Sequence, residues 1–119
     1  VGIFSFRRPA VPEISVDELA TLLAAGGTSL LDVREDWEFR RAHVAQAIHI
    51  PLRQLDQRHA ELPRDARVVV ICQSGSRSVG ATAFLLAQGY QGSASVAGGT
   101  TAWIRSGRPV EPADLSGQR

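Results

Sequence analysis

The chain has 119 residues, 44% of them hydrophobic, which suits one globular domain with a buried core and leaves little room for a second. Thirteen basic residues, all arginine, stand against twelve acidic ones for a formal charge of +1, a balance that argues against general nucleic-acid binding. The longest apolar runs, 68–72 and 84–87, fall far short of the roughly 20 residues needed to cross a bilayer, and one cysteine cannot form an internal disulfide, so a reducing cytoplasm is the default expectation.

Residues 1–12 read as an arm carrying Phe4, Phe6, Arg7 and Arg8, without the apolar region and cleavage pattern of a secretory signal. The domain is expected to span 13–110. Glu13-Ile14 fits a short edge strand, and Ser15-Val16-Asp17-Glu18 is an S-x-x-E capping box that predicts a helix start. Val16, Leu19, Ala20, Leu22 and Leu23 form the apolar face of that helix, and Gly26-Gly27 ends it. Residues 29–33 predict a parallel strand buried on both faces and ending in Asp32-Val33-Arg34.

Residues 35–42 predict a short charged helix with Trp37 and Phe39 as packing residues. A third strand is expected at 47–50, stopped by Pro51, and an amphipathic helix at 52–62 with Leu52, Leu55 and His59 inward. The most hydrophobic strand is 68–71. The helix after it, 79–88, carries Val79, Ala83, Phe84, Leu86 and Ala87 at helical spacing and stops at Gly89. A fifth strand at 93–97 leads through Gly98-Gly99 to a last short helix in which Trp103, like Phe84, is assigned to the core, and residues 111–119 form a polar tail. Strands alternating with helices at such intervals indicate an α/β fold, a parallel sheet with helices on both faces. No exposed heptad or long apolar edge is evident, so a monomer is expected.

Candidate chemistry concentrates in Cys72-Gln73-Ser74-Gly75-Ser76-Arg77-Ser78, between the most hydrophobic strand and the helix that follows. Open α/β sheets bind ligands at the carboxyl ends of their strands, where this cysteine falls. Small residues let the backbone curl around the sulfur with its N–H groups inward, and the following helix aims its positive end at the same point. Amide donors, a helix start and the Arg77 guanidinium all favour thiolate over thiol. A buried structural cysteine needs no such loop.

Three look-alikes are set aside. The segment 75–82 nearly fits a nucleotide-binding G-x-x-x-x-G-K-[ST] loop, but Ala81 stands where the lysine must be. No G-x-S-x-G elbow is present. The spacing of His43, His49 and His59 fits no common zinc pattern, so each is read as structural or solvent-facing, and no metal or cofactor is expected. Cysteine-dependent phosphatases resemble C-x-x-x-x-x-R, whereas only Gln73, Ser74, Gly75 and Ser76 separate Cys72 from Arg77. The tighter loop suits a smaller guest than phosphate, such as one extra sulfur atom.

The sequence resembles a single-domain rhodanese, a sulfurtransferase, from about Glu13 to Pro109. Four motifs in order carry the resemblance: Leu31-Asp32-Val33-Arg34, the segment 43–51, the loop 72–78, and Gly98-Gly99 with Ala102, Trp103, Gly107 and Pro109. Ala42, Ala45, Gln46 and His49 depart from the family's usual Gly, Pro, Gly and Asn, which predicts a different turn before the third strand.

The resemblance implies a three-layer α/β/α fold, a five-stranded sheet in the order 3-2-4-5-1, and sulfur carried as a Cys72 persulfide. It further implies transfer from a donor such as thiosulfate to cyanide or a thiol. Gln73, Ser74, Gly75, Ser76, Arg77 and Ser78 would bind the substrate, and Asp32 and Arg34 would brace the loop or form a fold-stabilising pair. For Arg77, the other reading is a guanidinium that ties the loop to a carboxylate. With no second cysteine, the sulfur acceptor must come from outside. Alternatives are a persulfide relay to a partner protein, a cysteine-dependent phosphatase or arsenate reductase, and a non-catalytic binding module.

Overall fold

The computed structural model describes residues 10–112, so residues 1–9 of the expected arm and 113–119 of the expected tail lie outside the described residues. Five strands form one parallel sheet: β1 (Glu13–Ile14), β2 (Thr28–Asp32), β3 (Ile48–His49), β4 (Arg67–Ile71) and β5 (Ala94–Val96). Their order is β1-β5-β4-β2-β3, with β4 in the centre. The helices are α1 (Val16–Ala25), α2 (Asp36–Arg41), α3 (Leu55–Arg58), α4 (Arg77–Ala87) and α5 (Gly99–Arg105).

The two-residue period of the strands divides the core between two faces. Leu31, Val33, Val68, Val70 and Cys72 join Leu55, Ala81 and Leu85 in one apolar layer, against α3 and α4. Leu30, Val69, Ile71, Ala94 and Val96 point the other way and join Leu19 and Trp103 of α1 and α5. Cys72 therefore emerges from the sheet on the α4 side.

The capping box forms as the sequence predicts: Ser15 Oγ accepts from the Glu18 N–H, and Glu18 Oε1 from the Ser15 N–H, each at 3.0 Å. The departures lie where packing overrides pattern. Trp37 is 65% exposed rather than packed, because Phe39 takes the inward position and two residues turn a helix by about 200°. Phe39 stacks between His43 and His49, with ring centroids 3.7 and 4.3 Å away.

The segment 52–62 is not one helix but a 3-10 turn, the four-residue α3 and a second 3-10 turn. Its first N–H, of Leu52, is still bonded to Val33 O at 3.0 Å, which ties its start to the sheet edge and leaves Leu52 exposed while Leu55 is buried. Likewise α4 begins two residues earlier than its apolar pattern suggested and turns Ser78, Ala81, Thr82 and Leu85 inward, which rotates Leu86 and Ala87 to the surface. The segment before β3 makes its turn without glycine, closed by the Ala47 N–H to Val44 O at 3.0 Å, and among the described residues no non-glycine has positive φ. Glu111, assigned to the tail, exchanges two backbone hydrogen bonds of 2.7 Å with His43.

Candidate active site

β4 delivers Cys72 to the carboxyl edge of the sheet, where the residue is 1% exposed and its sulfur is surrounded by its own loop. The Gly75 N–H donates to Sγ at 3.2 Å, and Ser78 Oγ lies 3.4 Å from it. Gly75 has φ +98°, and an added Cβ would stand 3.0 Å from the Gly98 nitrogen, so the curl that aims its N–H at sulfur is reserved for glycine. Burial pushes the Cys72 thiol up, but the Ser78 hydroxyl and the N–H groups of Ser78, Gly75 and Ser74 outweigh it and hold the thiol below its ordinary value.

The other side chains of the loop find partners or solvent elsewhere. Gln73 is a brace: its Oε1 accepts from Arg34 Nη1 at 3.0 Å and its Nε2 donates to Thr101 Oγ1 at 2.9 Å. Ser74 and Ser76 lie exposed at the rim. Both terminal nitrogens of Arg77 donate to Glu38, at 2.8 and 2.9 Å, so the guanidinium ties the loop to a carboxylate of α2. Arg77 holds the Glu38 carboxyl down to about 2 against the upward push of burial, with help from the Glu35 N–H and the charge of Arg34.

Asp32 and Arg34 form a buried pair that also touches the loop. The guanidinium of Arg34 closes on the Asp32 carboxylate at 2.8–3.1 Å, with both residues buried, and also donates to Ala42 O and to Gln73. Register explains the reach: Asp32 sits beside Ile71, so the turn after β2 faces the residues after β4. The histidines serve packing and backbone bonds. His43 Nδ1 lies 2.7 Å from Phe39 O and His49 Nε2 2.7 Å from Arg34 O.

The contributions of Glu38, Ser95 and α5 escape a local reading. Glu38 is 39 residues from Arg77 and reads on its own as one more surface charge. Ser95 Oγ lies 2.7 Å from Ser78 Oγ, although it reads as one polar residue in a strand. The first turn of α5 holds the base of the loop: the Thr100 N–H and hydroxyl both donate to Cys72 O, at 2.8 and 3.0 Å, and the Thr101 N–H donates to Gln73 O at 3.0 Å. The glycine pair at its start, Gly98-Gly99, is the sequence sign of that approach. Beside Gln73 opens a cavity of about 440 Å³, lined by Trp37, Arg41, Ala42, Thr100 and Ile104 among others.

A central parallel strand that ends in a buried cysteine, with loop N–H groups and a hydroxyl turned to its sulfur, defines an α/β domain of the cysteine-loop class. Comparison with known proteins narrows the class. A family model described as a rhodanese-like domain matches residues 15–106, and the chain belongs to the rhodanese family of sulfurtransferases. It is 36% identical over 101 residues to a sulfurtransferase of Allochromatium vinosum, covering 84% of this chain and 94% of that one. YrkF of Bacillus subtilis, named as a candidate sulfur carrier, is 33% identical over 95 residues; the match covers 79% of this chain and about half (51%) of YrkF. Among solved structures, the rhodanese-related protein of Thermoplasma volcanium superposes with a TM-score of 0.76 at 34% identity, covering 83% of this chain and 96% of that one.

Proposed function

We propose that the chain moves sulfane sulfur from thiosulfate, or a donor like it, to cyanide or a thiol through a persulfide on Cys72. The observation that carries this reading is the buried Sγ facing the Gly75 N–H and the Ser78 hydroxyl, an arrangement that favours the thiolate. The Cys72 thiolate attacks the outer sulfur of thiosulfate. As the new S–S bond forms, the donor's own S–S bond breaks and its electron pair leaves with sulfite. The terminal persulfide sulfur, an anion, is held by the same N–H groups. Cyanide then takes that sulfur as thiocyanate and the thiolate returns.

Intact mass tests the reading. Reduced protein incubated with thiosulfate is expected to gain one sulfur atom and to lose it to cyanide, while Cys72→Ser gains nothing and keeps its fold by circular dichroism. Turnover retained in Cys72→Ser would end the assignment.

A second reading, relay to a protein acceptor, is favoured by the cavity beside Gln73, whose rim carries Trp37 and Ile104, 65% and 45% exposed. The likeness to YrkF supports it as well. Transfer to an added thiol protein much faster than to cyanide distinguishes the relay from the stand-alone reaction.

A further inference from the structure

Behind the sulfur, two buried hydroxyls follow one another. Cys72 Sγ lies 3.4 Å from Ser78 Oγ, which lies 2.7 Å from Ser95 Oγ. Cys72 is 1% exposed and both serines 0%. Ala94 and Val96 point to the α1 and α5 face, so the strand period turns Ser95 toward α4 and Ser78. Packing alone asks for an apolar residue there.

Among the described residues, Ser78 Oγ is the one hydrogen-bond partner of the Ser95 hydroxyl. If Ser78 donated to Ser95, the Ser95 proton would be buried with no acceptor, which native interiors avoid. Donation from Ser95 to Ser78 avoids that cost and leaves the Ser78 proton free to turn to a sulfur that has given up its own. A thiol would place three protons on two contacts; a thiolate, an acceptor only, completes the line. We propose that Ser95 is a positioning residue: by donating to Ser78 it fixes the Ser78 hydroxyl as a donor to the Cys72 thiolate, whose proton leaves to bulk water.

The charged groups that face the loop form two closed pairs, Arg77 with Glu38 from α4 and α2, and Arg34 with Asp32 from the end of β2. Among the described residues, the side chains of β5 and of the first turn of α5 that bond to the loop are those of Ser95, Thr100 and Thr101, and none carries a charge. The substitutions below leave both pairs in place.

This inference deepens the sulfur-transfer reading, but its readout is ionisation of the thiol, followed in the full chain by thiolate ultraviolet absorbance against pH. Ser95→Ala is expected to raise the Cys72 pKa by about half a unit, the loss of one polarising hydrogen bond. Ser78→Ala is expected to raise it by about one unit or more. The double variant should match Ser78→Ala alone, because without the Ser78 oxygen Ser95 has no route to the sulfur.

An unchanged pKa in Ser95→Ala overturns the proposal, and so does a Ser95→Ala shift that persists in the Ser78→Ala background. A lowered Tm without a pKa shift makes Ser95 a packing residue and overturns it equally. Failure of transfer from thiosulfate with the serine shifts intact counts against the proposed reaction and leaves the line of donors standing.

Discussion

Glu38 serves two elements with one carboxylate: it accepts the Glu35 N–H at 2.9 Å at the start of α2 and both terminal nitrogens of Arg77 at the rim of the loop. If Arg77 works by holding the loop in shape, Glu38→Gln and Arg77→Ala should each raise the KM for thiosulfate several-fold, with a smaller change in kcat. A KM lowered by Glu38→Gln would mean that a freed Arg77 binds the donor directly. The pair also sets an acid response. The folded value of Glu38, about 2, lies below its ordinary value of 4.5, so its contribution is fully present above that value and lost as pH falls towards 2. Because Arg77 is 37% exposed, solvent screening limits the contribution to about 1 kcal/mol. Urea denaturation should show the stability gap between wild type and Glu38→Gln closing by that amount on acidification. A constant gap would remove the pair from the acid response.

At the scale of elements, the loop is held from below by α5 as much as it is formed by α4. Gly99 has φ +58°, and an added Cβ would fall 2.5 Å from Cys72 O and 2.6 Å from Gln73 O, the carbonyls that the start of α5 binds. Gly99→Ala must separate the two elements and force a left-handed backbone on alanine, at about 2–4 kcal/mol. Gly80 is the counter-case. It lies exposed inside α4 with nothing within 4 Å of its virtual Cβ, and Gly80→Ala should stabilise by about 0.5–1 kcal/mol. Chemical denaturation of the two variants, with Cys72 alkylation to report the loop, checks both signs. A stable Gly99→Ala with normal alkylation would show that the contact yields easily.

Over the whole molecule, Arg34 joins three segments: the end of β2 through Asp32, the end of α2 through Ala42 O, and the loop after β4 through Gln73. The pair is buried on both sides, at 2% and 0% exposure, so removing one charge strands the other in the core. Asp32→Asn is expected to cost about 3–5 kcal/mol in unfolding free energy and to lower the rate of sulfur transfer in the protein that remains folded. Unchanged stability would show that water or a neighbour takes over the guanidinium.

Legible along the chain are the α/β alternation, the capping box of α1, the glycine stops after α1 and after β5, and the small residues around Cys72. Each depends on residues within a few positions of one another, where propensity, period and turn chemistry act directly. Long-range packing sets which aromatic residue of α2 turns inward, that 52–62 breaks into short turns, and which side of α4 meets the sheet. It also sets the partners of the site, because Arg77 with Glu38, Arg34 with Gln73 and Ser78 with Ser95 are 39, 39 and 17 residues apart. Only strand order and register bring such pairs within hydrogen-bond distance. A carboxylate or hydroxyl carries no mark, in its own stretch of chain, of the group it will meet across the sheet.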